Sequence, residues 1–172
     1  DLEIKMDQEK YIVEKVEPVH LSKGRRSAKN APLNEEEFKN FRSMLYKASW
    51  LAHQTRPEAS GVVSILSSRL QQATVNDAIM LNKLVGHLRS TSKQPLRIKG
   101  FNREEMKFIG ISDAGGVDGD IRGLGKDGLP EDPVQGAWLV LASDLLPAHD
   151  LRINVSTLSW RSTKLKRRVT ST

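Results

Sequence analysis

Apolar and polar side chains alternate along Leu2-Glu3-Ile4-Lys5-Met6, the period-two pattern of a half-buried strand. Asp7 then has the character of a helix N-cap, ahead of a short helix carrying Tyr11, Ile12 and Val16. That helix has to stop before Pro18, because the residue preceding a proline is pushed out of the α region. A basic, glycine-containing loop with Lys23, Arg25, Arg26 and Lys29 follows. Asn34-Glu35-Glu36-Glu37 has the form of a capping box, in which Asn34 takes a first-turn amide and Glu37 reaches back. A long helix is predicted from there, with Phe38, Phe41, Leu45, Ala48 and Ala52 as one apolar stripe ending near Arg56-Pro57. Pro57 suits the first position of a second helix bearing Val62, Val63, Leu66 and Leu70. Thr74, with Asp77 three residues on, caps a third that carries Ala78, Leu81, Val85 and Leu88.

From Ser90 the texture changes. A polar connector leads to Leu96-Arg97-Ile98 and then to Lys107-Phe108-Ile109-Gly110-Ile111, which read as strands, the second apolar on both faces. Gly-rich acidic sequence separates these from the apolar run Ala137–Ala142, and a last strand is predicted near Leu158 to Leu165. The fold class expected is α+β: a helical module over 1–92 followed by a sheet module over 93–172.

Composition narrows the function classes. The chain has no cysteine, which excludes disulfide scaffolds, Cys-ligated metals and thiol nucleophiles. No run approaches the roughly 20 apolar residues needed to cross a bilayer. The opening residues carry no export-signal pattern, so an intracellular location, cytoplasm or nucleus, is expected without membrane partners. Lys and Arg outnumber Asp and Glu by 27 to 21, a net charge of +6, which makes a polyanion the first partner to consider. The distribution sharpens this. No acidic residue follows Asp150, whereas Arg152, Arg161, Lys164, Lys166, Arg167 and Arg168 do, and Arg25 and Arg26 belong to a second basic cluster.

Candidate chemistry is sparse. Gly123-Leu124-Gly125-Lys126-Asp127-Gly128 matches G-x-G-x-x-G, but Leu129-Pro130-Glu131-Asp132-Pro133 follows where a dinucleotide site needs a helix, so the segment reads as a loop. A calcium loop starting at Asp118 fails, because it puts Arg122 and Leu129 where oxygen ligands are required. His20, His53, His87 and His149 show no zinc spacing. Asp113 stands at the end of an apolar strand and is followed by Ala114-Gly115-Gly116, a place where a carboxylate can ligate Mg²⁺ or merely cap a turn. One carboxylate makes no two-metal site.

Several segments, in order along the chain, resemble one family. Phe41-Arg42-Ser43 through Trp50-Leu51-Ala52 and Gln54-Thr55-Arg56-Pro57-Glu58 is similar to an R-S-x-x-G-x-x-x-W-L-A-x-x-T-R-P-D pattern of copia-type LTR retrotransposon polyproteins, found after the polymerase palm. Asp7-Gln8-Glu9-Lys10-Tyr11-Ile12 resembles the family's D-Q-x-x-Y-I element, and Asn82-Lys83 through Leu88-Arg89 its N-K-x-x-x-x-L-R helix. Downstream, Ile109-Gly110-Ile111-Ser112-Asp113-Ala114 and Gln135-Gly136-Ala137-Trp138 resemble the first two strands of the family's ribonuclease H domain, and Ser159-Trp160-Arg161-Ser162-Thr163-Lys164 its S-W-x-S-x-K element. The acidic loop is longer than is usual in the family.

The resemblance implies the thumb or connection region of a reverse transcriptase over 1–92 and the N-terminal part of a ribonuclease H domain, a partial three-stranded sheet, over 93–172. It implies Asp113 as a catalytic, Mg²⁺-holding carboxylate in an incomplete set, since Val169-Thr170-Ser171-Thr172 matches the run into the helix that brings the second carboxylate. No Y-x-D-D polymerase element occurs. The expectation is a fragment that grips RNA or an RNA/DNA hybrid without catalysis. Arg161, Lys164, Lys166, Arg167, Arg168, Arg25 and Arg26 would contact the backbone. The rest of the polyprotein, or a partner subunit, would cover the open sheet. The alternative is a retroelement-derived, non-catalytic structural subunit of a larger assembly, such as a ribonucleoprotein.

Overall fold

A computed structural model describes residues 3–101, 104, 106–115, 123–124, 130–131, 135–143, 153 and 155–164. They form an α+β chain that divides into two compact units, Asp1–Ile98 and Lys99–Thr172.

The first unit opens with β1 (Glu3–Met6), whose four residues are all exposed. The alternation there therefore marks no buried face: among the described residues β1 pairs with β2 (Leu96–Lys99) in a two-stranded ribbon, which assigns the segment after the connector to this unit. Helix α1 (Glu9–Lys15) follows. Gln8, not Asp7, occupies its N-cap position, and the Asp7 carboxylate accepts the Glu9 N–H at 3.2 Å. The basic segment expected as a loop contains a short helix, α2 (Lys23–Ser27), because the Ser22 hydroxyl caps it by accepting the Arg25 N–H at 3.3 Å.

Helix α3 (Glu35–Gln54) carries the capping box at its start: Asn34 Oδ1 accepts the Glu37 N–H at 2.8 Å, and the Glu37 carboxylate accepts the Asn34 N–H at 3.0 Å. Pro57 opens a 3₁₀ turn (Pro57–Ala59) rather than an α-helix, and α4 (Ser60–Ser68) continues from it. A second 3₁₀ turn (Leu70–Gln72) leads to α5 (Val75–Ser90), where the Asp77 carboxylate accepts both the N–H and the hydroxyl of Thr74 at 2.8 Å. The buried stripes of these helices converge. Ile12 and Val16 of the α1 segment, Phe41, Leu45, Ala48 and Leu51 of α3, Val63 and Leu66 of α4 and Leu81, Val85 and Leu88 of α5 form one continuous core.

In the second unit, β3 (Lys107–Gly115), β6 (Gln135–Ser143) and β7 (Ser156–Lys164) make an antiparallel sheet in the order β3-β6-β7. Between β3 and β6 lies a two-residue antiparallel ladder of β4 (Gly123–Leu124) and β5 (Pro130–Glu131); β4 is the start of the glycine-rich motif, whose other residues lie outside those described. The β6–β7 register shifts between Val140 and Leu141, which pair with Ser159 and Thr157, leaving Leu158 as the extra residue of a bulge. Leu141, Ala142, Ser143 and Ser156 are buried at one end, where Ser156 Oγ accepts the Lys99 N–H at 2.8 Å. Phe108, Ile111, Trp138 and Leu158 are exposed.

Candidate nucleic-acid interface

The register brings three of the expected site residues to one end of the sheet. Asp113, Ala137 and Ser162 form one cross-strand row, and Ser112, Trp138 and Arg161 the next. Lys164 pairs with Gln135 at the end of β7. Neighbouring strands lie about 4.8 Å apart, so β3 and β7 are separated by roughly 10 Å across β6. Arg161 is exposed, as is Trp138 beside it. A cation on an edge strand next to an exposed indole can meet both a phosphate and a planar base or sugar face. Lys166, Arg167 and Arg168, and most of the acidic loop, lie outside the described residues.

Asp113 sits in β3 itself, two residues before its end, rather than in the turn. Among the described residues no group of three or more His, Asp or Glu side chains comes together in a way that could hold a metal ion. The Mg²⁺ expectation rests on the sequence and its resemblance.

Both arginines of the first unit's basic cluster make structural bonds. Arg25 donates from Nε and Nη2 to the two Glu37 oxygens at 2.9 and 2.6 Å, and from Nη2 to the Pro32 carbonyl at 2.7 Å. These bonds from Arg25 are the main reason that the Glu37 carboxyl lies below the usual carboxylate range, against the opposing effect of its burial and with help from the Asn34 N–H. They likewise raise the Arg25 guanidinium above its ordinary value. Arg26 donates from Nε to the Leu21 carbonyl at 3.2 Å. Arg25 is thus first a clamp between α2 and the start of α3.

The motif residues of this unit form tethers as well. Arg56 is only 3% exposed; its Nε donates to Glu58 at 2.6 Å, and its two terminal nitrogens reach the carbonyl and the hydroxyl of Thr91 at the end of α5. The Thr55 hydroxyl donates to Gln8 Oε1 at 2.7 Å, which joins the D-Q element to the T-R-P element. Asn82 pairs with the Val19 backbone through both side-chain atoms, at 2.7 and 2.9 Å. Arg89 donates to the Val16 carbonyl at 2.6 Å and Lys47 to that of Lys15 at 2.9 Å, so two cations satisfy carbonyls at the C-terminal end of α1. A cleft of about 370 Å³ beside this end sets Glu14 and Glu17 against Lys15, His20 and Lys47, a mixed lining that selects no one ligand charge.

One cluster was not singled out from the sequence. Arg42, Tyr46 and Trp50 stand at i, i+4 and i+8 on the outer side of α3, opposite its buried stripe. The Arg42 guanidinium lies 5.6 Å from the Tyr46 ring centroid, and the Tyr11 ring packs against Trp50 at 4.6 Å with an interplanar angle of 53°. That second, polar-aromatic periodicity was the available signal.

No family model, curated protein or solved structure matches the chain. Among the described residues no helix is long and apolar enough to cross a membrane.

Proposed function

We propose that this chain binds nucleic acid through phosphate contacts, as the duplex-gripping part of a reverse transcriptase and ribonuclease H of copia type, with the RNA/DNA hybrid as its duplex. The observation that carries the reading is charge placement. β7 brings the exposed Arg161 to the edge of a three-stranded sheet and runs through Lys164 into Lys166, Arg167 and Arg168, with no acidic residue after Asp150. Point charges on flexible stems suit a sequence-independent backbone contact. Three antiparallel strands agree in number with those implied by the resemblance. Asp113 would hold Mg²⁺ in a complete ribonuclease site, and one aspartate cannot fix two ions.

The test is hybrid binding against salt. The log-log slope should be about −0.9 per phosphate neutralised, and replacing Lys164, Lys166, Arg167 and Arg168 by Gln should flatten it by roughly 2 to 4 units without changing sequence preference. An unchanged slope would reduce the stretch to a solubilising surface. Hybrid cleavage in Mg²⁺ is expected to be absent, and cleavage that disappears in Asp113→Asn would overturn the non-catalytic part of the reading.

The second reading, a retroelement-derived non-catalytic subunit of a larger assembly, draws on the exposed Phe108, Ile111, Trp138 and Leu158 of the sheet. Sedimentation separates the two. Concentration-dependent association that Phe108→Ser together with Trp138→Ser abolishes favours the subunit, and a monomer at all concentrations favours the first reading.

A further inference from the structure

The outer side of α3 combines flat rings with positive charge. Tyr46 is 54% exposed and Trp50 45%. A single exposed aromatic is ordinary on a protein surface. Here they form a row, because four residues advance a helix by 400°, which keeps Arg42, Tyr46 and Trp50 within a narrow sector at steps of about 6 Å. The same sector holds Lys39 and His53, both exposed. Tyr11, on α1, steadies the indole from the side and extends the aromatic surface.

The charge on this helix is one-sided. Its acidic residues are confined to Glu35, Glu36 and Glu37 in the first turn, and Glu37 is held by Arg25. From Phe38 to Gln54 no Asp or Glu occurs, while Lys39, Arg42 and Lys47 do. Lys47 is tied to the Lys15 carbonyl, which leaves Lys39 and Arg42 beside the rings.

Trp, Tyr and Arg also mark protein interfaces. Two features turn the assignment the other way: at three- and four-residue spacing the rings neighbour Arg42, Ser43, Ser49 and His53 rather than aliphatic side chains, and no acidic residue lies within four positions of Arg42. A partner that matches planar rings and fixed cations is a polyanion with accessible planar groups. In a duplex the base faces are covered by their neighbours, whereas a single strand can lay them on a ring.

We propose that the Arg42–Tyr46–Trp50 row, with Tyr11, is a stacking platform for single-stranded nucleic acid, with Arg42 and Lys39 taking the phosphates. The proposal rests on the polyanion-binding reading above, but it uses a different unit and a different kind of contact. The platform would hold an unpaired strand.

The experiment uses the full chain with Trp138 and Trp160 replaced by Phe, so that Trp50 is the one remaining tryptophan of three. Titration with an oligouridylate should quench Trp50 emission, and the same strand paired with its complement should leave it unchanged. Tyr46→Ser should weaken single-strand binding about tenfold with an unchanged salt slope. Arg42→Gln should weaken it and reduce the slope by about 1. Both substitutions change exposed side chains outside the core, so their circular dichroism should match that of the parent. If the double Phe replacement disturbs the sheet, the difference in emission between the natural chain and Trp50→Phe reports the same quenching.

Absence of quenching, equal quenching by duplex, or quenching by polyglutamate at equal charge would overturn the platform; the last would mark a protein-docking face. Repeating the titration with Lys164, Lys166, Arg167 and Arg168 replaced by Gln keeps the two readings apart. Quenching that persists when the tail has no effect on the salt slope sinks the tail and keeps the platform, and the converse sinks the platform alone.

Discussion

Phe41 in α3 and Phe108 in β3 are the same side chain in opposite situations: the first is fully buried and the second 63% exposed. The contrast extends to the two units. In the helical unit, twenty buried apolar residues make one cluster, to which each of α1, α3, α4 and α5 contributes a stripe. In the sheet unit, the buried apolar residues among those described are Leu141 and Ala142. Helices joined in sequence fold their stripes onto one another, so four of them close a core. A three-stranded sheet is one layer and needs a second to bury a face. The described residues of the second unit supply none, and Phe108, Ile111 and Trp138 remain in water.

The largest effect expected from this difference is in those two phenylalanines. Phe41→Ala should cost about 3 to 5 kcal/mol, the range for deleting a buried aromatic ring, and Phe108→Ala no more than about 0.5 kcal/mol. Urea unfolding followed by circular dichroism measures both. An equal cost at Phe108 would mean that this face of the sheet is covered in solution.

Arg56 comes next. It is buried, and its fork closes on Glu58 and on both oxygens of Thr91, which ties the end of α3 to the end of α5. Arg56→Lys keeps the charge but cannot span three acceptors, so it should lower stability by about 2 kcal/mol in the same urea assay. A loss under about 0.5 kcal/mol would show that the fork is a surface pair in practice.

These cases also explain what the sequence made legible. The stripe from Phe38 to Ala52 and the box Asn34–Glu37 are local patterns that α3 realises directly. The strands Lys107–Gly115 and Gln135–Ser143 were visible as apolar runs, although shorter than they are. What local pattern could not supply was the long-range partner. Arg25 was legible only as a charge, and its bonds to Glu37, twelve residues on, were not. Arg56 and Asn82 belong to a recognisable pattern, yet their partners Thr91 and Val19 lie 35 and 63 residues away. The Arg42–Tyr46–Trp50 row was hidden for another reason: the eye follows the buried period of a helix, and this one runs along its exposed side.

Glu37 gives a smaller effect with a pH signature. Its folded-state pKa is depressed by the bonds from Arg25, so the stability it contributes is present above its unfolded value, about 4.3, and is lost as pH falls through the lower folded value. Glu37→Gln should cost about 1 kcal/mol at neutral pH, since the partner Arg25 is partly solvated. The difference between natural chain and variant should shrink as the solution is acidified below about pH 4. A gap that stays constant down to pH 2 would mean that the pair contributes through shape alone.

The smallest effect sharpens the comparison between the units most directly, because it uses one kind of change in both. Gly86 lies inside α5 and Gly110 inside β3, and a Cβ at either would meet nothing within 4 Å. Glycine in an element interior weakens it by leaving more freedom to lose on folding. Gly86→Ala should therefore stabilise by about 0.5 to 1 kcal/mol, and Gly110→Thr by a few tenths, since threonine fits a pleated, half-exposed surface. Differential scanning calorimetry reads the outcome. Two transitions, each moved by only one of the substitutions, would show that the helical unit and the sheet unit melt on their own accounts. One transition moved by both would show that the two units unfold together.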